Sequence, residues 1–331
     1  MKLAIVGGGS WGTALAMVLA PRAESLRLWV YESDLAARMA GSRENDIFLP
    51  GFRLADEVQI VPDLPVAIEG ADIVLGVMPS QHARGIYAAM LPHLTPSTIL
   101  VSATKGLEQG SLLRISEIIE QVTGPSFKAR VAVLSGPTFA REVAAGNPTA
   151  VVIASGSTEV AQTVQQAFSG PSLRLYTNAD PTGVEVGAAL KNVIAIGAGI
   201  CEGLGLGHNP TAALITRGLA EITRLAIAMG GQAKTLAGLA GLGDLVLTCS
   251  GDLSRNRHVG KELGHGRPLG EILGSMRMVA EGVETCGAAV ALGAKFGVDL
   301  PIMQQMDAVM AGRITPRDAV RELMERSLKG E

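Results

Sequence analysis

Three glycines at fixed spacing, set directly behind an apolar run, constrain this chain more than any other feature in it. Leu3-Ala4-Ile5-Val6 leads into Gly7-Gly8-Gly9-Ser10-Trp11-Gly12, so Gly7, Gly9 and Gly12 follow a G-x-G-x-x-G pattern. The run is short and aliphatic and stops at glycine, which reads as a buried strand. Residues 11–19 behind it have helical character. Gly7 permits a tight turn, Gly9 lets backbone approach a pyrophosphate, and Gly12 lets the helix pack close to the strand. The helix start presents N–H groups and a positive dipole end to the anionic bridge, where Ser10 and Trp11 stand. The spacing alone is a weak signal, and a glycine turn without a ligand is the plain alternative. The strand-turn-helix setting strengthens the ligand reading.

The first half repeats this alternation. Residues 2–6, 26–31, 58–61, 73–77, 98–102 and 131–134 read as buried strands, rich in Val, Ile and Leu and bounded by Gly, Pro or polar residues. Residues 11–19, 81–91 and 112–122 read as helices, and 150–154 and 173–176 as two further strands. Alternating strands and helices imply a parallel, doubly wound sheet of the Rossmann type with helices on both faces. Past Asp180 the strand signal fades. Asp180-Pro181 is a helix start, with Asp as N-cap and Pro in the first turn. Helical patterns cover 182–200, 211–229, 256–263, 286–296, 302–310 and 316–327. The expected fold class is α/β, with a dinucleotide-binding domain over 1–180, an all-helical substrate domain over 181–331, and the active site in the cleft between them.

Glu32 stands twenty residues beyond Gly12, at the end of the second strand. A carboxylate there hydrogen-bonds ribose hydroxyls, whereas a 2′-phosphate calls for arginine. No arginine stands at 31–33, so the position leans towards NAD over NADP. A solvated strand-end carboxylate is the alternative.

Composition narrows the function classes. The chain has 331 residues, 47% of them hydrophobic, and a formal net charge of -3. That charge excludes a broad basic footprint for nucleic acid, so an anionic ligand must be held by a few focused cations. Cys201, Cys249 and Cys286 lie far apart and fit a reducing compartment rather than disulfides or zinc. The five histidines show no metal-ligand spacing, so no metal is expected. The N-terminal run does not read as a signal peptide, and the apolar stretch at 193–201 falls short of the roughly 20 residues a membrane span needs. A cytoplasmic protein is expected, and its apolar composition allows a homodimer.

Several segments place polar residues in glycine-rich, apolar surroundings: Ser102 to Leu107, Leu134 to Ala140, Ala189 to Val193, Gly241 to Leu245 and Ser254 to Arg257. With the glycine turn they resemble the bacterial NAD(P)-dependent glycerol-3-phosphate dehydrogenases. The family's GxGSWGTALA appears as Gly7 to Ala16, SATKGLE as Ser102 to Glu108 and SGPxFAxEV as Ser135 to Val143. ALKNVIAI spans Ala189 to Ile196, AALITRGLAEI Ala212 to Ile222, GLGDLVLTC Gly241 to Cys249 and SRNR Ser254 to Arg257. Met278 to Val283 resembles the VxEGV segment. The match covers nearly the whole chain, in order.

The resemblance implies hydride transfer between NAD(P)H and dihydroxyacetone phosphate, giving glycerol 3-phosphate for phospholipid synthesis. It implies Lys191 as the catalytic acid/base. Lys105, Gly136, Thr138, Asp244, Ser254, Arg255 and Asn256 would bind the phosphorylated substrate, with Thr138 in place of the usual serine. Ser10, Trp11, Lys105, Ala140, Arg255, Val279 and Glu281 would meet the cofactor. Some positions depart. Tyr31 stands where the family often has arginine, and Phe48-Leu49-Pro50-Gly51 replaces YLPG, removing a tyrosine hydroxyl. The family's DN before AALITRG reads His208-Asn209.

Residue by residue, plainer readings stand beside these. Lys191 and Lys105 could be solvated lysines. Asp244 could be an N-cap or a hydrogen-bond partner of a substrate hydroxyl or of Lys191. Ser254 to Asn256 could be an ordinary capped helix, although cations are disfavoured at a helix N-terminus unless an anion sits there. For catalysis, Lys191 would need burial and nearby cations, Lys105 and Arg255, to bring its pKa towards neutrality. The competing functions are a sister 3-hydroxyacyl-CoA or sugar-acid dehydrogenase and a non-catalytic nucleotide sensor.

Overall fold

The apolar runs of the first half become strands because both faces of the sheet they form are covered. In the computed structural model, which describes residues 1–276 and 279–328, ten strands occur. They are β1 (Lys2–Val6), β2 (Ser25–Trp29), β3 (Glu44–Asn45), β4 (Leu49–Arg53), β5 (Val58–Val61), β6 (Ile73–Gly76), β7 (Ile99–Ser102), β8 (Arg130–Ser135), β9 (Thr149–Ala154) and β10 (Leu173–Asn178). Eight form one sheet in the order β10-β9-β8-β7-β6-β1-β2-β5, while β3 and β4 form a small antiparallel hairpin. Along β1, Leu3 and Ile5 enter one apolar cluster with Leu15 and Leu19. Ala4 and Val6 enter another with Tyr87, Met90, Ile115 and Ile118. Burial on both faces explains why runs such as β1, β6 and β7 are continuous rather than alternating.

The sheet is mixed, not wholly parallel. β9 runs antiparallel to β8, and β10 runs parallel to β9. The link after β8, residues 136–148, holds one five-residue helix, Ala140–Ala144, in place of a full crossover helix. Boundaries also shift. The helix expected from residue 112 begins at Ile115, because Leu112 takes a left-handed φ of 61° and Arg114 is the N-cap. The helix expected over 81–91 is a short 3-10 turn, Ser80–His82, followed by α-helix Ala83–Met90.

The chain divides into two compact units. The first comprises Met1–Glu108 and Leu113–Glu185, the second Gln109–Leu112 and Val186–Glu331. Among its described residues the second unit is helical. Helix Pro181–Gly203 leads into it, and Asp180 Oδ1 accepts from Gly183 N at 2.8 Å, the cap the sequence suggests. By length and hydropathy this helix could cross a membrane, which the shorter estimate from residues 193–201 did not anticipate, but its most apolar stretch is wholly buried inside the protein. It meets helix Arg255–Gly264 backbone to backbone. A Cβ on Gly199 would lie 2.0 Å from Arg257 O, and one on Gly260 would lie 1.9 Å from Ile196 O. Helix His208–Ala228 supplies the buried Glu221, whose carboxylate accepts from Ile302 N at 2.8 Å and Met303 N at 3.3 Å and so caps helix Pro301–Met310. Burial pushes that carboxyl up to about 7.

Candidate active site

In the first unit the parallel strands β1, β6, β7 and β8 end at one edge of the sheet. Open α/β sheets bind ligands outside this carboxyl edge. The glycine turn stands there. Gly7 has φ 130°, and a Cβ on it would lie 2.3 Å from Val77 O. A Cβ on Gly12 would lie 1.9 Å from Gly7 O, so helix Ser10–Leu19 can sit this close only with glycine at 12. Gly9 differs, because a Cβ there would meet nothing within 4 Å. Gly9 is the N-cap residue of the helix, and no side chain caps that end. An open backbone, an uncapped helix start and no local carboxylate fit the pyrophosphate of a dinucleotide.

Trp11 and Ala140 both pack against a small buried cluster of Ala14, Leu49 and Val143. Glu32 follows β2, the neighbour of β1, and is exposed as the N-cap residue of helix Ser33–Ser42, where its side chain makes no capping bond. Tyr31 is exposed and stands edge-on to the Trp29 ring at 5.9 Å. Phe48 packs against the main core cluster.

The loops after β7 and β8 bring Lys105, Gly136 and Thr138 together. Lys105 Nζ lies 3.5 Å from both Gly136 O and Thr138 Oγ1, and Thr138 Oγ1 donates to Gly136 O at 3.2 Å. The Lys105 loop is pinned at three points. Thr104 Oγ1 donates to Met78 O at 2.9 Å, Gln81 Nε2 donates to Leu107 O at 3.0 Å, and Arg84 holds the Glu108 carboxylate with two bonds of 2.8 Å. Nothing in the sequence reading singled out Arg84 or Gln81.

In the second unit Lys191 is not a solvated lysine. It is 4% exposed on helix Pro181–Gly203, and its Nζ donates to Asp244 Oδ1 and, at 2.8 Å, to Thr248 Oγ1. Asp244 is 0% exposed. It is not the N-cap of its helix. A π-helical turn, Leu239–Gly243, precedes it, and Asp244 opens helix Asp244–Ser250 from inside. Its carboxylate therefore turns to the amine, and Thr248, one turn on, donates to Asp244 O at 2.6 Å. Thr248 was missed by the sequence reading, although the i,i+4 spacing from Asp244 places both on one helix face. The Asp244 carboxylate thus touches Lys191, the contact that stood among the expectations for that aspartate. Beside them, burial pushes the Cys249 thiol up to about 12.

Ser254 caps helix Arg255–Gly264, its side chain accepting from Arg257 N at 3.2 Å. Arg255 Nη1 donates to Val279 O at 2.7 Å, and Glu281 lies close enough to favour the guanidinium charge. Asn256 Oδ1 accepts from Gly282 N at 2.9 Å. A Cβ on Gly282 would lie 2.7 Å from both Asn192 O and Asn256 Oδ1, so this glycine fixes the Val279–Gly282 backbone against the turns that carry Lys191 and Asn256. Met278, the first residue of that motif, lies outside the described residues.

An anionic bridge suits the first unit's turn, and a proton donor suits a carbonyl that receives a hydride. The class these features define is the two-domain nicotinamide-dependent dehydrogenases. Comparison with known proteins gives the particular family. The model for the NAD-dependent glycerol-3-phosphate dehydrogenase N-terminus matches residues 2–161, and that for its C-terminus matches 180–321. A relative from Koribacter versatilis, named glycerol-3-phosphate dehydrogenase (NAD(P)+), is 56% identical over 98% of this chain and 97% of its own. One of the same name from Citrifermentans bemidjiense is 52% identical over 100% and 98%. The crystal structure of glycerol-3-phosphate dehydrogenase from Coxiella burnetii superposes with a TM-score of 0.93 at 40% identity, covering 98% of this chain and 99% of that one. This chain belongs to the NAD-dependent glycerol-3-phosphate dehydrogenase family.

Proposed function

We propose that this protein interconverts dihydroxyacetone phosphate and sn-glycerol 3-phosphate with NAD(P)H, as a cytoplasmic enzyme feeding phospholipid synthesis. The buried Lys191–Asp244 pair carries the reading, because a lysine this buried with its carboxylate partner serves chemistry better than solubility. The turn at Gly7, Gly9, Ser10, Trp11 and Gly12 holds the pyrophosphate, Ala140 walls it, and Glu32 accepts from the adenosine ribose. When bound, the reduced nicotinamide supplies the hydride. Lys191 Nζ donates a proton to the carbonyl oxygen as it becomes an alkoxide, and Asp244 and Thr248 hold the amine in place. Lys105, with Gly136 and Thr138 beside it, adds positive field and hydrogen bonds on the substrate. Ser254, Arg255 and Asn256 offer the phosphate a helix N-terminus with a guanidinium and an amide. Val279 and Glu281 border the nicotinamide.

Glu32 and the absence of arginine at 31–33 favour NADH over NADPH. Steady-state oxidation of each nicotinamide with a panel of ketones tests this reading. Turnover with dihydroxyacetone phosphate is expected. Preference for a coenzyme A ester, or no turnover with any ketone, would overturn it.

A further inference from the structure

We propose that Asn45 is a positioning residue for the cofactor, locking the glycine turn in the shape that receives the pyrophosphate. The proposal rests on the reading that this turn binds the dinucleotide bridge. Asn45 lies in β3 and is 0% exposed. Both of its amide donors and its carbonyl oxygen are engaged. Nδ2 donates to Gly8 O and to Thr13 Oγ1, both at 2.8 Å, and Oδ1 accepts from Phe48 N at 2.9 Å. The first two bonds grip the chain on either side of Gly9–Gly12. The third closes the hairpin that carries Asn45 itself.

The consequence for the turn follows from peptide geometry. In a trans peptide the carbonyl of one residue and the N–H of the next point in opposite directions. Turning Gly8 O inward to Asn45 therefore turns Gly9 N–H outward. A Cβ at Gly9 would meet nothing within 4 Å, so the space beside this residue is open. A glycine-only segment has no side chains to hold such an orientation, and no side chain caps the helix behind it. The orientation must be imposed from outside. Two donors and one acceptor on a single planar group meet that need. Aspartate has no donor, and serine is too short to bridge both partners.

The test compares wild type with Asn45→Ser, Asn45→Asp and Thr13→Val, each checked for folding by circular dichroism. NADH affinity is read by fluorescence, and ADP-ribose and adenosine are used as competing inhibitors. In the Asn45 variants NADH and ADP-ribose should weaken by the same factor, about ten- to a hundredfold. Thr13→Val should show a smaller loss. Adenosine, which lacks the bridge, should bind as to wild type, and the KM for dihydroxyacetone phosphate at saturating NADH should not move. A folded Asn45→Ser with wild-type NADH affinity overturns the proposal. So does equal weakening of NADH and adenosine, the mark of general distortion. If both Asn45 variants fail to fold, Thr13→Val decides, and unchanged NADH affinity there overturns the proposal. A wild type that binds no NADH, or in which ADP-ribose does not compete, refutes the underlying reading instead.

Discussion

Replacing Lys191 by methionine removes one partner of a buried ion pair and leaves the other. Asp244 is 0% exposed, so its carboxylate cannot turn to water when the amine is lost. Breaking such a pair from one side costs about 3–5 kcal/mol. Removing both charges, with Lys191→Met and Asp244→Leu together, puts apolar groups of similar volume in their place and is close to neutral. The Thr248 bond to the Asp244 backbone carbonyl survives either change, whereas the bond Thr248 accepts from Lys191 Nζ is lost with the amine. The double variant should therefore recover most of the stability lost by Lys191→Met, and a double-mutant cycle measures the difference. Urea unfolding followed by circular dichroism at the helical minimum is the suitable assay. Both tryptophans, Trp11 and Trp29, lie in the first unit and do not report on the second. A Lys191→Met protein with the wild-type midpoint, or a double variant no more stable than the single one, would refute the buried pair.

Other substitutions test the packing and the electrostatics. Gly260→Ala places a methyl 1.9 Å from Ile196 O, where backbone must move; it should cost about 3 kcal/mol or more and lower Tm, whereas Gly270→Ala, with nothing within 4 Å, should be neutral or stabilising. Burial raises Glu221 to about 7 from the ordinary carboxyl value of 4.5. The folded state thus binds this proton more tightly than the unfolded one. The associated stability is present below 4.5 and is lost as pH rises to about 7, by up to about 3 kcal/mol. Chemical unfolding across that range should show the decline, and Glu221→Gln should flatten it. Ser254→Ala removes the cap of helix Arg255–Gly264 and should cost about 1 kcal/mol. It should also raise the KM for dihydroxyacetone phosphate and leave that for NADH unchanged.

Much of the fold was legible in the sequence. All eight strands of the main sheet were placed from the sequence, the inner ones because burial on both faces leaves a continuous apolar signal, while the edge strands β5 and β10 are only partly buried. Strand direction was not legible, since an apolar run such as Thr149–Ala154 reads the same running either way. The β3-β4 hairpin was missed because Glu44–Asn45 is two residues long and carries no alternation. At the site, the contact between Lys191 and Asp244 stood among the sequence expectations as one of several roles for the aspartate. The choice between that contact and N-cap duty turns on the π-helical turn before Asp244, which Gly-Leu-Gly does not announce. Asn45 left no trace because the two partners its amide nitrogen reaches are a backbone carbonyl 37 residues away and a threonine 32 residues away.

Proton donation by Lys191 is tested most directly in a single turnover. The enzyme with bound NADH is mixed rapidly with excess dihydroxyacetone phosphate, and loss of NADH absorbance is followed. Wild type should oxidise its bound NADH to completion and yield glycerol 3-phosphate. Folded Lys191→Met, still able to bind both ligands, should do so slower by about a hundred- to ten-thousandfold. A methionine variant that consumes NADH at the wild-type rate would contradict the role of the amine.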